Sequence, residues 1–205
     1  MMALSQMMQH YFTIKEKYKD CIVFYRLGDF YEMFFDDAVK GANLLGLTLT
    51  GRDCGLEQRA PMCGIPFHAA DEYIAKLVSL GEKVAICEQL EDASASKGIV
   101  ERGVVRVVTA GTITDDEHLN EKTSNYVCCA FKNAESVALA WADITTGELS
   151  ATEFTGTNCV SQSTSHIAKL GVKEVICNDD YLFETKNEPL IVRGVLPHFS
   201  SYPEW

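Results

Sequence analysis

Cys21-Ile22-Val23-Phe24-Tyr25-Arg26-Leu27 is an apolar, β-branched and aromatic run, and a second such run, Phe30-Tyr31-Glu32-Met33-Phe34, follows two residues later. Runs of this composition bounded by turn residues are strands, and Gly28-Asp29 between them predicts a tight turn or a bulge. A chain with this stretch near its N-terminus must therefore build a sheet around it. Phe30 and Glu32 are two residues apart, so in extended backbone they share a face, with Tyr31 on the other. A large ring beside a carboxylate suits either an aromatic wedge with a hydrogen-bond acceptor next to it, or a core phenylalanine beside a rim glutamate. Pattern alone favours the core reading.

Around this stretch the periodicity changes from segment to segment. Leu4, Met7, Met8, Tyr11, Phe12 and Tyr18 make a helical stripe with Ser5 or a neighbour as cap and Lys15, Lys17 and Lys19 at its end. Asp36-Asp37 reads as the capping start of a helix stopped by Gly46. Leu47–Thr50 alternates like a strand before the loop Gly51–Arg59. Ala60–His68 carries two prolines around a glycine and reads as a stiff extended segment, with His68 capping a helix from Ala69 to Leu80. Val84–Leu90 and Val104–Val108 are strands, and Glu91–Gly98 is a surface loop. Three strands joined by hairpins then cover Tyr126–Phe131, Ser136–Ile144 and Glu148–Phe154. A helix follows from about Ser161 to Leu170, then a strand Glu174–Cys177, an irregular Asn/Asp-rich stretch and a short strand near Leu190–Arg193. The expected class is α/β: a mixed-sheet domain over 1–115, a linker over 116–123 where charge rises and hydrophobicity drops, and a second domain over 124–205. The abrupt finish at Trp205 fits a fragment.

Composition narrows the function classes. With 47% hydrophobic and 23% charged residues the chain is that of a globular protein, with no apolar run near a membrane span and no signal peptide, so a cytoplasmic setting is expected. The net charge of −11 argues against a whole-surface nucleic-acid binder. It divides unevenly: 12 Lys/Arg and 16 Asp/Glu stand in residues 1–115, against 6 and 13 in residues 116–205. Contact with a polyanion must be local. Eight cysteines make no CxxC pair and no zinc spacing; Cys54 and Cys63 are a conceivable pair, but reduced thiols are the default. Cys128 and Cys129 read as small apolar fillers facing opposite ways. No P-loop, GxGxxG or GxSxG motif is present. Asp143, with Glu148 and Glu153 near it, leaves a metal-dependent nuclease open as a second reading, because metal-assisted hydrolysis needs converging carboxylates. A pure protein-interaction module using the acidic residues 124–205 is a third.

Four motifs in order, Phe24–Phe34, Pro61–Ala69, Val84–Gln89 and Val105–Thr109, resemble the N-terminal part of the bacterial MutS mismatch-repair family. Ala142-Asp143-Ile144-Thr145-Thr146-Gly147 is similar to the start of that family's connector domain, which is ribonuclease-H-like and not catalytic. The resemblance implies that Phe30 stacks on a mispaired base from the minor groove and that Glu32 hydrogen-bonds that base. It places Arg52, Arg59, Gly64, Ile65, Pro66, His68 and Arg106 near the DNA backbone, although Gly51 stands where relatives often carry another cation. It implies mismatched double-stranded DNA and a MutL-type matchmaker as partners, a homodimer when full-length, and a bacterial, nucleoid-associated location. The ATPase and clamp domains of the family lie outside this chain, so ATP and magnesium belong to the full-length protein. The chain by itself is expected to bind DNA weakly and to catalyse nothing.

Overall fold

The computed structural model describes residues 4–90, 100–112, 125–185 and 197–202, and the chain divides into two compact units, 1–109 and 110–205. Both units combine helices with a mixed sheet, the α/β class expected. The expected surface loop 91–98, the linker 116–123 and the short strand near 190–193 lie outside the described residues. Among the described residues no helix is long and apolar enough to cross a membrane.

The first unit runs α1 (Gln6–Lys17), β1 (Cys21–Leu27), β2 (Phe30–Phe34), α2 (Phe35–Leu45), β3 (Thr50–Arg52), β4 (Ala60–Pro66), α3 (Ala70–Ser79), β5 (Lys83–Gln89) and β6 (Arg102–Val108). The strands lie in the order β3-β4-β2-β1-β5-β6, with β1 parallel to β5 and the other neighbours antiparallel. Gly28 has φ +59, the left-handed value that a glycine at the first position of a two-residue hairpin turn supplies without strain. The register Tyr25↔Glu32, Arg26↔Tyr31, Leu27↔Phe30 follows from that turn. Because side chains alternate, Cys21, Val23, Tyr25, Phe30, Glu32 and Phe34 share one face. Met8, Tyr11 and Ile14 of α1 close the buried part of it. Phe24, Tyr31, Met33, Cys63 and Ile65 lie on the other face. There the α2 helix comes so close that a Cβ on Gly41 would stand 2.6 Å from the Met33 sulfur.

Several local expectations are corrected. The strand after α2 starts at Thr50, later than expected, and carries Arg52. Ala60–Pro66 is a paired strand inside the sheet rather than an isolated extended segment, its proline at position 61 facing the three-residue edge strand β3. His68 does not cap a helix: it sits in a 3-10 turn, Phe67–Ala69, and Ala69 precedes α3 without a side-chain cap bond. Asp37 is not a cap either. The β2 strand breaks away at Phe34, and Phe35 takes φ +52, the only non-glycine residue at positive φ among those described. Asp37 Oδ2 accepts the Val23 N–H at 3.0 Å and the Tyr11 hydroxyl at 2.9 Å, while Oδ1 pairs with Lys15 Nζ at 2.8 Å.

The second unit runs β7 (Tyr126–Lys132), β8 (Ser136–Asp143), β9 (Leu149–Thr155), α4 (Cys159–Leu170), β10 (Glu174–Cys177), α5 (Asp179–Thr185) and β11 (His198–Ser201). The meander β7-β8-β9 is antiparallel as expected, and β10 lies parallel to both β7 and β11 in the order β11-β10-β7-β8-β9. The Asn/Asp-rich stretch after β10 is helical, because Asn178 ties the end of β7 through Lys132 N–H (3.0 Å) and C=O (2.8 Å) and starts α5 behind it.

All eight cysteines are free. Cys54 joins the α1-side core and Cys63 bonds to Ala38 on the opposite face, so the sheet itself keeps the conceivable pair apart. Burial pushes the Cys21, Cys87 and Cys128 thiols up to about 12. Cys129 is exposed, not a filler like its neighbour Cys128. A disulfide reagent such as DTNB is therefore expected to label Cys129 in the native chain and the seven buried thiols only after unfolding. Rapid native labelling of two or more thiols by mass spectrometry refutes this.

Candidate nucleic-acid interface

The far end of the hairpin is where the sheet face runs out from under α1. Phe30 stands there 48% exposed, although Tyr31 and Met33 on the opposite face of the same strand are buried. The core reading of Phe30 fails on exposure: with Leu27 and Pro66 as its register partners and Gly64 opposite Glu32, the residue stays about half open to solvent. Glu32 is the more covered of the two. Its Oε2 pairs with Arg52 Nη1 at 2.5 Å, with the arginine side chain 37% exposed and the glutamate side chain 15%. A methyl on Gly64 would touch the Glu32 stem at 3.4 Å. Phe30, Glu32, Arg52, Gly64 and Pro66 thus share one sheet face by register, with the ring outermost.

Behind the hairpin, on the opposite face, lies an assembly that the sequence reading did not identify. The Arg26 guanidinium stacks over the Phe67 ring at 3.8 Å and approaches Glu88 at 3.6 Å, and Glu88 accepts the Tyr31 hydroxyl. Burial, and then that bond, push the Tyr31 hydroxyl up to about 12. The Phe67 N–H donates to the Asp29 carbonyl at 2.9 Å, so the hairpin turn and the turn after β4 are tied together. The usable signal was Arg26, a cation in an otherwise apolar strand.

The remaining predicted residues separate. His68 is exposed in the turn that Phe67 anchors. Arg59 is exposed, and its stem lies across Gly51: a Cβ on Gly51 would stand 3.2 Å from Arg59 Cβ and 3.7 Å from Cδ. The side chain that Gly51 lacks is replaced in space by the Arg59 stem. Ile65 is a correction: it is fully buried, because the alternation that presents Gly64 and Pro66 turns Ile65 into the core. Arg106 stands apart from these residues: on β6 it pairs with Ile86 of β5, three strands from β2 and, by parity through Phe24↔Ile86, on the face away from Phe30.

The family profile for MutS domain I matches residues 5–117, and that for MutS domain II matches residues 125–201. The chain belongs to the MutS family. Among its relatives is the DNA mismatch repair protein MutS of Acetivibrio thermocellus, 53% identical over 184 residues, or 90% of this chain and 21% of the relative. The protein of the same name from Ruminiclostridium cellulolyticum is 57% identical over 177 residues, 86% of this chain and 20% of the relative. That of Clostridium botulinum strain 657 is 51% identical over 179 residues, 87% and 19%. The chain spans about a fifth of the length of these relatives.

In the MutS domain II part, Asp143 does not behave as a metal ligand. It is 4% exposed, and its Oδ1 accepts the Thr145 N–H at 2.9 Å and the Thr145 hydroxyl at 2.6 Å, closing the turn into β9. Those bonds hold its carboxyl below the usual range. Among the described residues no three His, Cys, Asp or Glu side chains converge on a metal position. The nuclease reading has no support in this arrangement.

Proposed function

We propose that the chain recognises mismatched double-stranded DNA through its first unit, as part of a mismatch-repair protein. Phe30 enters the base stack from the minor groove, and Glu32 accepts a hydrogen bond from the displaced base. The observation that carries the reading is the half-exposed Phe30 ring standing beside a carboxylate at the tip of a hairpin braced from behind. Every base offers a π-face, so a phenyl ring stacks on any mispair without reading its identity. Insertion unstacks a step at a cost of a few kcal/mol, and a mismatch lowers that cost. Discrimination then comes from deformability. On this reading Arg52, Arg59, Gly64, Pro66 and His68 meet the DNA backbone, while unit 1 is acidic overall, which fits weak binding by the chain alone.

Replacing Phe30 by alanine tests the reading. Binding of the chain to a G·T duplex and to its fully paired counterpart is compared at low salt, and the preference for the mismatch is expected to disappear. A preference that survives sinks the proposal. The same family reading assigns ATP hydrolysis with magnesium, dimerisation and docking of a MutL-type matchmaker through the connector domain, residues 124–205, to the complete protein.

A further inference from the structure

We propose that Arg52 is a specificity latch: it closes on Glu32 in the free protein and transfers to a DNA phosphate only when a mispaired base takes its place on the carboxylate. The inference rests on the mismatch reading above. Three observations carry it. The pair is made, Arg52 Nη1 to Glu32 Oε2 at 2.5 Å, so the carboxylate assigned to the base already holds a cation on one of its oxygens. Its two members differ in access, since the guanidinium reaches solvent while the carboxylate is mostly covered. And Arg52 ends a three-residue edge strand followed by the exposed residues 55–59, so the arginine rather than the glutamate is the partner free to leave.

The chemistry makes the exchange conditional. Both bonds are charge-assisted through the carboxylate, but the guanidinium brings a positive charge of its own and the neutral base N–H does not, so a base alone does not displace it. The exchange becomes favourable when Arg52 gains another anion, and a phosphate accepts its planar fork in two parallel bonds. A mismatched duplex supplies both halves, the phosphate and an unpaired base edge. A fully paired duplex supplies only the phosphate, and taking Arg52 there leaves Glu32 as a bare carboxylate against a polyanion. The latch then stays closed. Arg52 in this way turns a repulsive charge into an acceptor that works only where a base is free to meet it.

The distinguishing readout is the salt dependence of binding by the whole chain to G·T and fully paired duplexes. Each phosphate neutralised adds about 0.9 to the slope of log affinity against log salt. If Arg52 reaches phosphate only in the mismatch complex, the mismatch slope is steeper by about 0.9, and the preference falls about 3.5-fold between 50 and 200 mM salt. Arg52→Met is expected to make the two slopes equal by lowering only the mismatch slope. Glu32→Gln is expected to make them equal by raising the paired-duplex slope, because it frees Arg52 for phosphate on either duplex. Arg52→Lys, which keeps the charge, retains the difference. Equal slopes in the unsubstituted chain overturn the latch, as does a uniform loss on both duplexes in Arg52→Met, the behaviour of an ordinary phosphate contact. A chain with no mismatch preference at any salt fails the mismatch reading itself, whereas a preference with equal slopes fails only the latch.

Discussion

Asp37→Ala is expected to destabilise the first unit by about 3 kcal/mol, the low end of the 3–5 kcal/mol range for breaking a buried ion pair. The reason is the number of groups it would orphan. The Val23 N–H, the Tyr11 hydroxyl and the Lys15 ammonium all converge on this one carboxylate, which is 5% exposed. By continuing the β1–β2 register, Val23 and Phe34 would face one another, but Phe35 at positive φ has already turned the chain into α2. The strand groups left over find substitutes: the Val23 N–H takes Asp37, and the Phe34 carbonyl takes the Tyr11 hydroxyl at 3.1 Å. Asp37 thus joins α1, β1 and α2 at the point where the sheet ladder stops. Lys15 is partly exposed and also bonds the Cys21 and Lys19 carbonyls, so water and those carbonyls offset part of the loss. Asp37→Asn keeps one acceptor oxygen and should cost roughly half as much. Asp36 is the matched control, an exposed carboxylate one residue away in the same helical turn, whose replacement by alanine should stay within about 1 kcal/mol. Urea unfolding midpoints with hydrogen exchange at the Val23 amide measure all three. Equal effects at positions 36 and 37 rule out the hub.

This hub also marks how much of the fold was legible in the sequence. Strands with period-two composition and helices with apolar stripes were readable because each segment's own burial pattern dictates them. Gly28-Asp29 was readable because a glycine at positive φ is a local requirement. What escaped is what depends on partners distant in the chain. Asp36-Asp37 looks like a cap from neighbours alone, and only the approach of α1 and the break in β2 make Asp37 a buried acceptor. His68 looks like a cap until Phe67 is tied to Asp29. The Asn/Asp-rich run after β10 looks irregular until Asn178 takes the backbone groups at the end of β7. The candidate site divides in the same way. Alternation correctly put Phe30 and Glu32 on one face, but whether that face is covered depends on where α1 ends and on Gly64 and Pro66 across the strand. The Ile65 assignment failed on parity, which was available from the sequence once Ala60–Pro66 was taken as a strand. The separation of Arg106 from the hairpin follows from strand order, which was not.

Phe30→Ala is expected to bring mismatch affinity down to that of paired DNA, a loss of about 1–3 kcal/mol or roughly 5- to 150-fold, from removing one base–aromatic stack. Affinity for the paired duplex should stay unchanged, since the phosphate contacts are untouched and the ring is not inserted there. Fold stability should change by less than about 1 kcal/mol, because the ring is half exposed and alanine leaves the hairpin register and the Gly28 turn as they are. Those two controls separate a wedge from a packing residue. Tyr31→Phe makes the opposite pattern: it removes the hydroxyl held by Glu88 behind the hairpin, so it should cost stability at the brace while leaving a ring at position 30 to stack. Phe30→Leu divides the contribution further. It keeps apolar bulk but loses the planar face, so preference should fall between the parent and Phe30→Ala if stacking is the source, and match the parent if filling space is enough. Retention of full mismatch preference by Phe30→Ala, with the hairpin intact by amide chemical shifts, would move recognition off this hairpin altogether.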